Sequence, residues 1–293
     1  MFKGSIVAIV TPFRRGKVDE ERLRDLIEFQ IKNGTSGIAP CGTTGESATL
    51  TFDEHEKVIE ITIEQVNKRV PVIAGTGSNS TEEAIMLTRQ AASAGADASL
   101  QIAPYYNRPT QEGLYRHFKA VAQSVKIPIL LYNIASRTGV NIEPDTIAAL
   151  AKECKNISGV KEASGNLDQM SRIKALCPKG FQLVSGDDSL TLPVLSVGGT
   201  GVISVAANIV PRETASLVAA FEKGDIKKAR TLHYKLLPLI KSLFLETNPI
   251  PVKTAMGLLN MCEPDLRLPM CAMSSVNLAK LKKSLVDYGL LKK

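Results

Sequence analysis

Short apolar runs rich in β-formers alternate with amphipathic helical stretches from the start of the chain to about residue 224. That alternation leaves few folds open. The runs cover residues 5–11, 37–41, 71–75, 98–103, 128–133, 157–163, 181–186 and 201–206. Between them, apolar residues recur at the helical period: Leu23, Leu26, Ile27 and Ile31 share one face, as do Ile59, Ile63 and Val66, and Ile147, Leu150, Ala151 and Cys154. Helix-end signals agree. Ser80 followed by Glu83 reads as a capping box, and Gly95 and Gly34 suit the left-handed position that closes a helix.

Eight strands, each followed by a helix-compatible segment, predict an α/β fold of the (β/α)8 barrel type. Near-continuous apolar strands fit, because a parallel barrel strand is buried on both faces. A doubly wound open sheet is the alternative, but its phosphate-binding signatures, G-x-G-x-x-G and G-x-x-x-x-G-K-[ST], are missing. We divide the chain into a barrel, residues 1–224, and a helical region, 225–293, with helices expected over 226–246, 249–259 and 274–291. No Pro/Gly/Ser linker separates the two, so the tail is expected to pack on the barrel.

Composition excludes several function classes. At 44% hydrophobic and 22% charged the chain has ordinary globular chemistry, too apolar for disorder. No stretch approaches the roughly 18–20 uninterrupted apolar residues of a membrane helix. The apolar run at residues 6–10 is too short for a secretory signal. Five cysteines (Cys41, Cys154, Cys177, Cys262 and Cys271) form no C-x-x-C pair, so neither a disulfide framework nor a zinc knuckle is indicated. These features predict a cytoplasmic protein. The net charge of +7 raises nucleic acid as a partner, yet Trp is absent and the 14 Tyr and Phe leave few rings for base stacking. The basic residues are dispersed, and a field attracting small anionic metabolites fits equally well.

In a barrel, reacting groups sit where strands end and in the loops that follow. Lys161, near the end of the sixth run, either points into the barrel mouth, where a neutral amine can attack a carbonyl, or is a surface lysine on a misread loop. Tyr132 ends the fifth run. It is either a proton donor and acceptor or a core tyrosine. Arg137, just beyond, either clamps a substrate carboxylate bidentately or is a solvated loop arginine. The turn Gly42-Thr43-Thr44-Gly45 offers N–H groups and two hydroxyls that can hold a small carboxylate, although the bare pattern is often only a turn. His55, between acidic neighbours, opens a helix; His117 and His233 lie on helical patterns; Asp187 and Asp188 have no companion carboxylates at strand ends. No metal site is expected.

Taken together, Gly42-Thr-Thr-Gly-Glu46, Tyr132-Asn-Ile-Ala-Ser-Arg-Thr-Gly139, Gly159-Val-Lys-Glu-Ala163 and Asn248-Pro-Ile-Pro-Val-Lys253 resemble the pyruvate-dependent class I lyases that share the barrel of N-acetylneuraminate lyase. Within them the chain is most similar to the dihydrodipicolinate synthase family. The resemblance spans essentially the whole chain. It implies a Schiff-base lysine at Lys161, a proton-transferring tyrosine at Tyr132, and Thr43 and Thr44 gripping the pyruvate carboxylate. Arg137 and the loop 105–109 distinguish the synthases, in which Tyr106 completes a relay Tyr132–Thr43–Tyr106 from a neighbouring subunit. Gly186 and Ile203 line the pocket by the same analogy. Ala135 departs from the family, which usually has proline there.

The implied reaction condenses pyruvate with aspartate semialdehyde through an imine on Lys161. It needs no cofactor and is the first committed step towards diaminopimelate and lysine. A homotetramer, a dimer of dimers, is implied too. Feedback-inhibited members bind lysine near positions matching Ser47, Ala48, His55, Asn79, Glu83 and Tyr105, but Phe52 stands where lysine-sensitive enterobacterial-type enzymes have histidine. The rival readings are N-acetylneuraminate lyase, against which Arg137 and Tyr106 argue, and a non-catalytic basic barrel.

Overall fold

The computed structural model describes residues 3–292. Ten strands occur among them: β1 Gly4–Ala8, β2 Phe13–Arg14, β3 Lys17–Val18, β4 Gly37–Ala39, β5 Ile73–Gly75, β6 Ala98–Ile102, β7 Ile129–Asn133, β8 Ile157–Glu162, β9 Gln182–Ser185 and β10 Gly201–Ser204. Apart from the antiparallel pair β2–β3, they form one parallel sheet in the order β4-β1-β10-β9-β8-β7-β6-β5. A parallel bridge between Ile38 and Val72 joins the two ends of that order and closes the barrel. Every expected strand run is present.

The ladders end earlier than the apolar runs. Ile9, Val10 and Thr11 are buried but lie beyond the last paired residue of β1. Cys41, Ala163 and Gly186 likewise follow the ends of their strands. Burial and ladder pairing are separate properties, and an apolar run reports the first.

Alternate strand residues fill the barrel interior: Ile6 and Ala8, Ala98 and Leu100, and Leu130 and Tyr132, with Ile73, Val184 and Ile203. The opposite strand faces pack against the helices, as with Leu131, Val160 and Leu183 against Leu150 and Ile173. Helix ends follow the sequence signals in part. Gly95 caps its helix at φ +102°, and Gly34 has φ +83°. The capping box at Ser80 is incomplete: Ser80 Oγ accepts from the Glu83 N–H, but the Ser80 N–H goes to Ser78 Oγ at 3.1 Å and the Glu83 carboxylate takes the Ser78 hydroxyl proton. The complete box is Thr51 with Glu54, opening the helix Phe52–Val66.

The tail helices are Ile226–Ser242, Ile250–Leu258 and Ser275–Tyr288, each shorter than its apolar pattern. Gly289 ends the last at φ +89°. Arg267 ties this region to the barrel. Its guanidinium bonds both Glu54 oxygens (2.6 and 2.5 Å) and the carbonyls of Thr49 and Gly16, and stacks on Phe13 at 4.4 Å. The same hydrogen bonds hold the Glu54 carboxyl down at about 2. Among the described residues no helix is long and apolar enough to cross a membrane.

His117, on the helix Gln111–Ser124, is buried with Nδ1 paired to Thr81 Oγ1 at 2.9 Å and, among the described residues, no partner for Nε2. Burial lowers its pKa from 6.5 to about 4. An unfolded chain therefore takes up this proton near pH 6.5 and the folded chain only near pH 4. Stability from this group is fully present above the higher value and is lost as pH falls between the two, by at most about 3 kcal/mol. Denaturant titrations across that range should show this slope, and His117→Gln should flatten it; an unchanged slope in the variant contradicts the assignment.

Candidate active site

A cavity of about 730 Å3 opens at the C-terminal ends of the strands. Strand β7 carries Tyr132 to its wall, and β8 carries Lys161 in register beside Tyr132. Lys161 is 7% exposed, so it is the inward lysine and not a surface one. Its Nζ lies 4.1 Å from the centroid of the Tyr132 ring. Gly186, just past β9, leaves room for this side chain. A Cβ there would come within 3.2 Å of Lys161 Cγ and Cε and 2.7 Å of Ala163 Cβ. Ile203 on β10 belongs to the same interior cluster as Tyr132. Lys161, Thr44, Gly186 and Ile203 are not among the residues that line the cavity; Lys161 meets it at the Tyr132 ring.

The turn after β4 is closed by Gly45 N–H to Gly42 O (3.1 Å) and Glu46 N–H to Thr43 O (3.1 Å). Cys41 and Glu46 adopt φ near +55°, and a Cβ at Gly75 would strike Cys41 O at 2.3 Å, so the turn lies directly on β5. Thr43 faces the cavity half-buried, with no hydrogen bond to Tyr132 among the described residues. Thr44 Oγ1 accepts from Asn248 Nδ2 at 3.0 Å. Glu46 is buried and paired with Lys253 Nζ at 2.6 Å. Burial depresses the Lys253 pKa, with the Glu46 charge pulling the other way. Its ammonium also sits 4.2 Å over the Phe13 ring.

Arg137 lies in the one-turn helix Ala135–Thr138, which Gly139 closes through its N–H to Ala135 O at 2.9 Å. Alanine at 135 therefore leaves a closed turn. The Arg137 guanidinium lines the cavity and donates from Nη2 to Asn248 O at 3.1 Å. Tyr106 is 91% exposed at φ +73° and does not line the cavity of its own chain.

The residues expected to hold an effector share this cavity. Ser47, Ala48, His55, Glu83 and Tyr105 line it, and Asn79 Nδ2 supports the loop through Tyr105 O at 3.1 Å. Burial lowers the His55 pKa, and its Nδ1 has no partner among the described residues. Burial, reinforced by the Glu83 charge, raises that of Tyr105. Phe52 is exposed at the same wall. Among the described residues no group of three or more His, Cys, Asp or Glu side chains converges. Asp188 instead accepts from Ser204 Oγ and from the N–H groups of Val205 (2.9 Å) and Ala206 (3.3 Å), fastening β9 to the end of β10.

The sequence reading assigned no role to Asn248, Glu46 or Lys253. The available signal was a lysine inside the apolar stretch Ile250-Pro-Val-Lys-Thr-Ala-Met256, the same kind of oddity that singled out Lys161.

Comparison with known proteins decides the family. The model of the Dihydrodipicolinate synthetase family matches residues 1–287. The chain belongs to that family. It is 62% identical over 291 residues to the 4-hydroxy-tetrahydrodipicolinate synthase of Syntrophus aciditrophicus (strain SB), covering 99% of this chain and all of the relative. The crystal structure of dihydrodipicolinate synthase from Aquifex aeolicus superposes with a TM-score of 0.98 at 55% identity, covering both chains fully. Two further family structures carry small molecules. The chloride-inhibited enzyme from Acinetobacter baumannii is complexed with pyruvate (TM-score 0.96, 44% identity, 99% of this chain and 100% of that one). The Cyanidioschyzon merolae enzyme has lysine bound (TM-score 0.96, 42% identity, 99% of each chain).

Proposed function

We infer that this chain condenses pyruvate with L-aspartate 4-semialdehyde to 4-hydroxy-tetrahydrodipicolinate, the reaction of the family's synthases. The observation that carries this reading is a lysine buried at a barrel strand end against a cavity-lining tyrosine, in a chain 62% identical to a synthase along its whole length.

The neutral Lys161 amine attacks the pyruvate ketone and water leaves, giving a protonated imine. That nitrogen is the electron sink when a methyl proton departs, so the enamine forms without a metal or an organic cofactor. Tyr132, with its ring against Lys161, moves protons to and from these intermediates, and Thr43 relays them. The enamine carbon bonds to the aldehyde carbon, whose oxygen takes a proton. The amine of the second substrate then displaces Lys161 from the imine and closes the six-membered ring. Thr44 holds the pyruvate carboxylate, and Gly186 and Ile203 shape the space around Lys161. Arg137, exposed at the mouth and braced by Asn248 O, holds the carboxylate of the second substrate.

Tyr106, outside its own cavity, suits a role in the site of a neighbouring copy, which calls for at least a dimer; we propose a homotetramer built as a dimer of dimers. Five free cysteines suit a reducing compartment, and we assign the enzyme to the cytoplasm. Supplied with both substrates, the protein should consume them one for one. Cleavage of N-acetylneuraminate without that condensation would overturn the reading.

Lysine is proposed as a feedback effector at the wall formed by Ser47, Ala48, His55, Glu83 and Tyr105, with Asn79 behind it. The Glu83 carboxylate, free of the capping role, is available for an ammonium group. Calorimetry should show lysine binding by millimolar concentrations; no heat there removes the effector site.

A further inference from the structure

Asn248 joins two parts of the cavity wall that the chain builds separately. It is buried, lines the cavity and precedes the helix Ile250–Leu258. Its Nδ2 donates to Thr44 Oγ1 at 3.0 Å, 204 residues away along the chain. Its backbone carbonyl accepts from Arg137 Nη2 at 3.1 Å. Five residues on, Lys253 pairs with Glu46, and the Arg267 backbone N–H donates to the same carboxylate at 3.2 Å, so the tail grips the Gly42–Glu46 turn at three points. Only the Asn248 contact touches a hydroxyl with a proposed role at the substrate.

A threonine hydroxyl has one proton to donate and lone pairs to accept with. When Asn248 Nδ2 occupies a lone pair of Thr44 Oγ1, the hydroxyl proton remains free for another acceptor. The contact therefore limits where that proton can point as well as holding the rotamer. Thr44 is buried, and among the described residues its hydroxyl donates to no protein group. We propose that Asn248 is a positioning residue that turns the Thr44 hydroxyl proton towards the carboxylate of pyruvate, coupling the C-terminal helical region to recognition of the first substrate. This rests on the reading that Thr44 holds that carboxylate.

The side chain and the backbone of Asn248 serve different partners, which separates the two substrates experimentally. Removing the amide releases Thr44 but leaves the carbonyl on which Arg137 rests. The inference is tested with pyruvate alone, by borohydride trapping read as adduct mass against pyruvate concentration. Asn248→Ala should raise half-saturating pyruvate about tenfold, the scale of a hydrogen bond to a charged group. The KM for aspartate semialdehyde should stay within about twofold, since Arg137 keeps its partner. Thr44→Val should have a similar effect, and the double variant should be no worse than the more affected single one, because Asn248 acts through that hydroxyl. Unchanged half-saturation in Asn248→Ala, or a double variant that multiplies the two single effects, overturns the proposal. Should Asn248→Ala not fold, Asn248→Asp serves instead. Its carboxylate can only accept and captures the Thr44 proton, so half-saturating pyruvate should again rise by about tenfold or more; no rise overturns the proposal. Absence of any adduct on the unaltered protein would count against the proposed reaction and not against this coupling.

Discussion

Replacing Lys161 by alanine should lower kcat for the condensation by on the order of 10^4-fold or more, because no other group here can form the imine through which every later step runs. Tyr132 and Thr43 have only hydroxyls. Lys253, the other buried amine, is held by Glu46 at 2.6 Å. The fold should survive. Among the described residues Lys161 forms no ion pair, and its stem packs beside Gly186 and the Tyr132 ring, so truncation strands no buried carboxylate. Steady-state turnover together with a thermal melt separates the two properties. Activity within tenfold of the unaltered protein would remove Lys161 from the mechanism.

Replacing Lys253 by methionine should do the reverse and attack the fold first. The Glu46–Lys253 pair is almost fully withdrawn from solvent, at 2% and 0% side-chain exposure. Methionine has about the same length but no charge, so the variant leaves the Glu46 carboxylate buried without a cation. Breaking a buried pair from one side typically costs about 3–5 kcal/mol. For a chain of this size that corresponds to a fall in Tm on the order of 10 °C. Glu46→Gln should lose stability similarly by stranding the Lys253 ammonium. Combining Glu46→Gln with Lys253→Met should recover most of the loss, since no buried charge is then left alone. Single variants that melt within about 2 °C of the unaltered protein would show the pair to be energetically unimportant.

The barrel was legible in the sequence because its signals are local. A strand buried on both faces must be apolar, and a helix laid on a sheet must repeat its apolar residues at helical spacing. Strand ends were less legible: Ile9–Thr11 stay buried after leaving the ladder, so hydrophobicity carries no mark of the last paired residue. The pair β2–β3 was missed because two-residue strands show no period. At the site, Lys161 and Tyr132 stood out because a polar group ending an apolar strand needs an explanation. Asn248 and Glu46 did not, because their partners lie 204 and 207 residues away and no local pattern encodes such contacts. Glu83 shows the opposite error. A local capping signature was present, yet the Ser78 hydroxyl, two residues before the cap, donates to the carboxylate, which also faces the cavity.

All of the proposed chemistry depends on a covalent bond between one nitrogen and one small keto acid. Incubation with pyruvate, reduction with borohydride and mass analysis of the resulting peptides test this most directly. The expected result is a single stable adduct with the mass of reduced pyruvate on the peptide containing Lys161, absent from Lys161→Ala. Full recovery of unmodified protein, or an adduct on another lysine such as Lys253, would contradict the account.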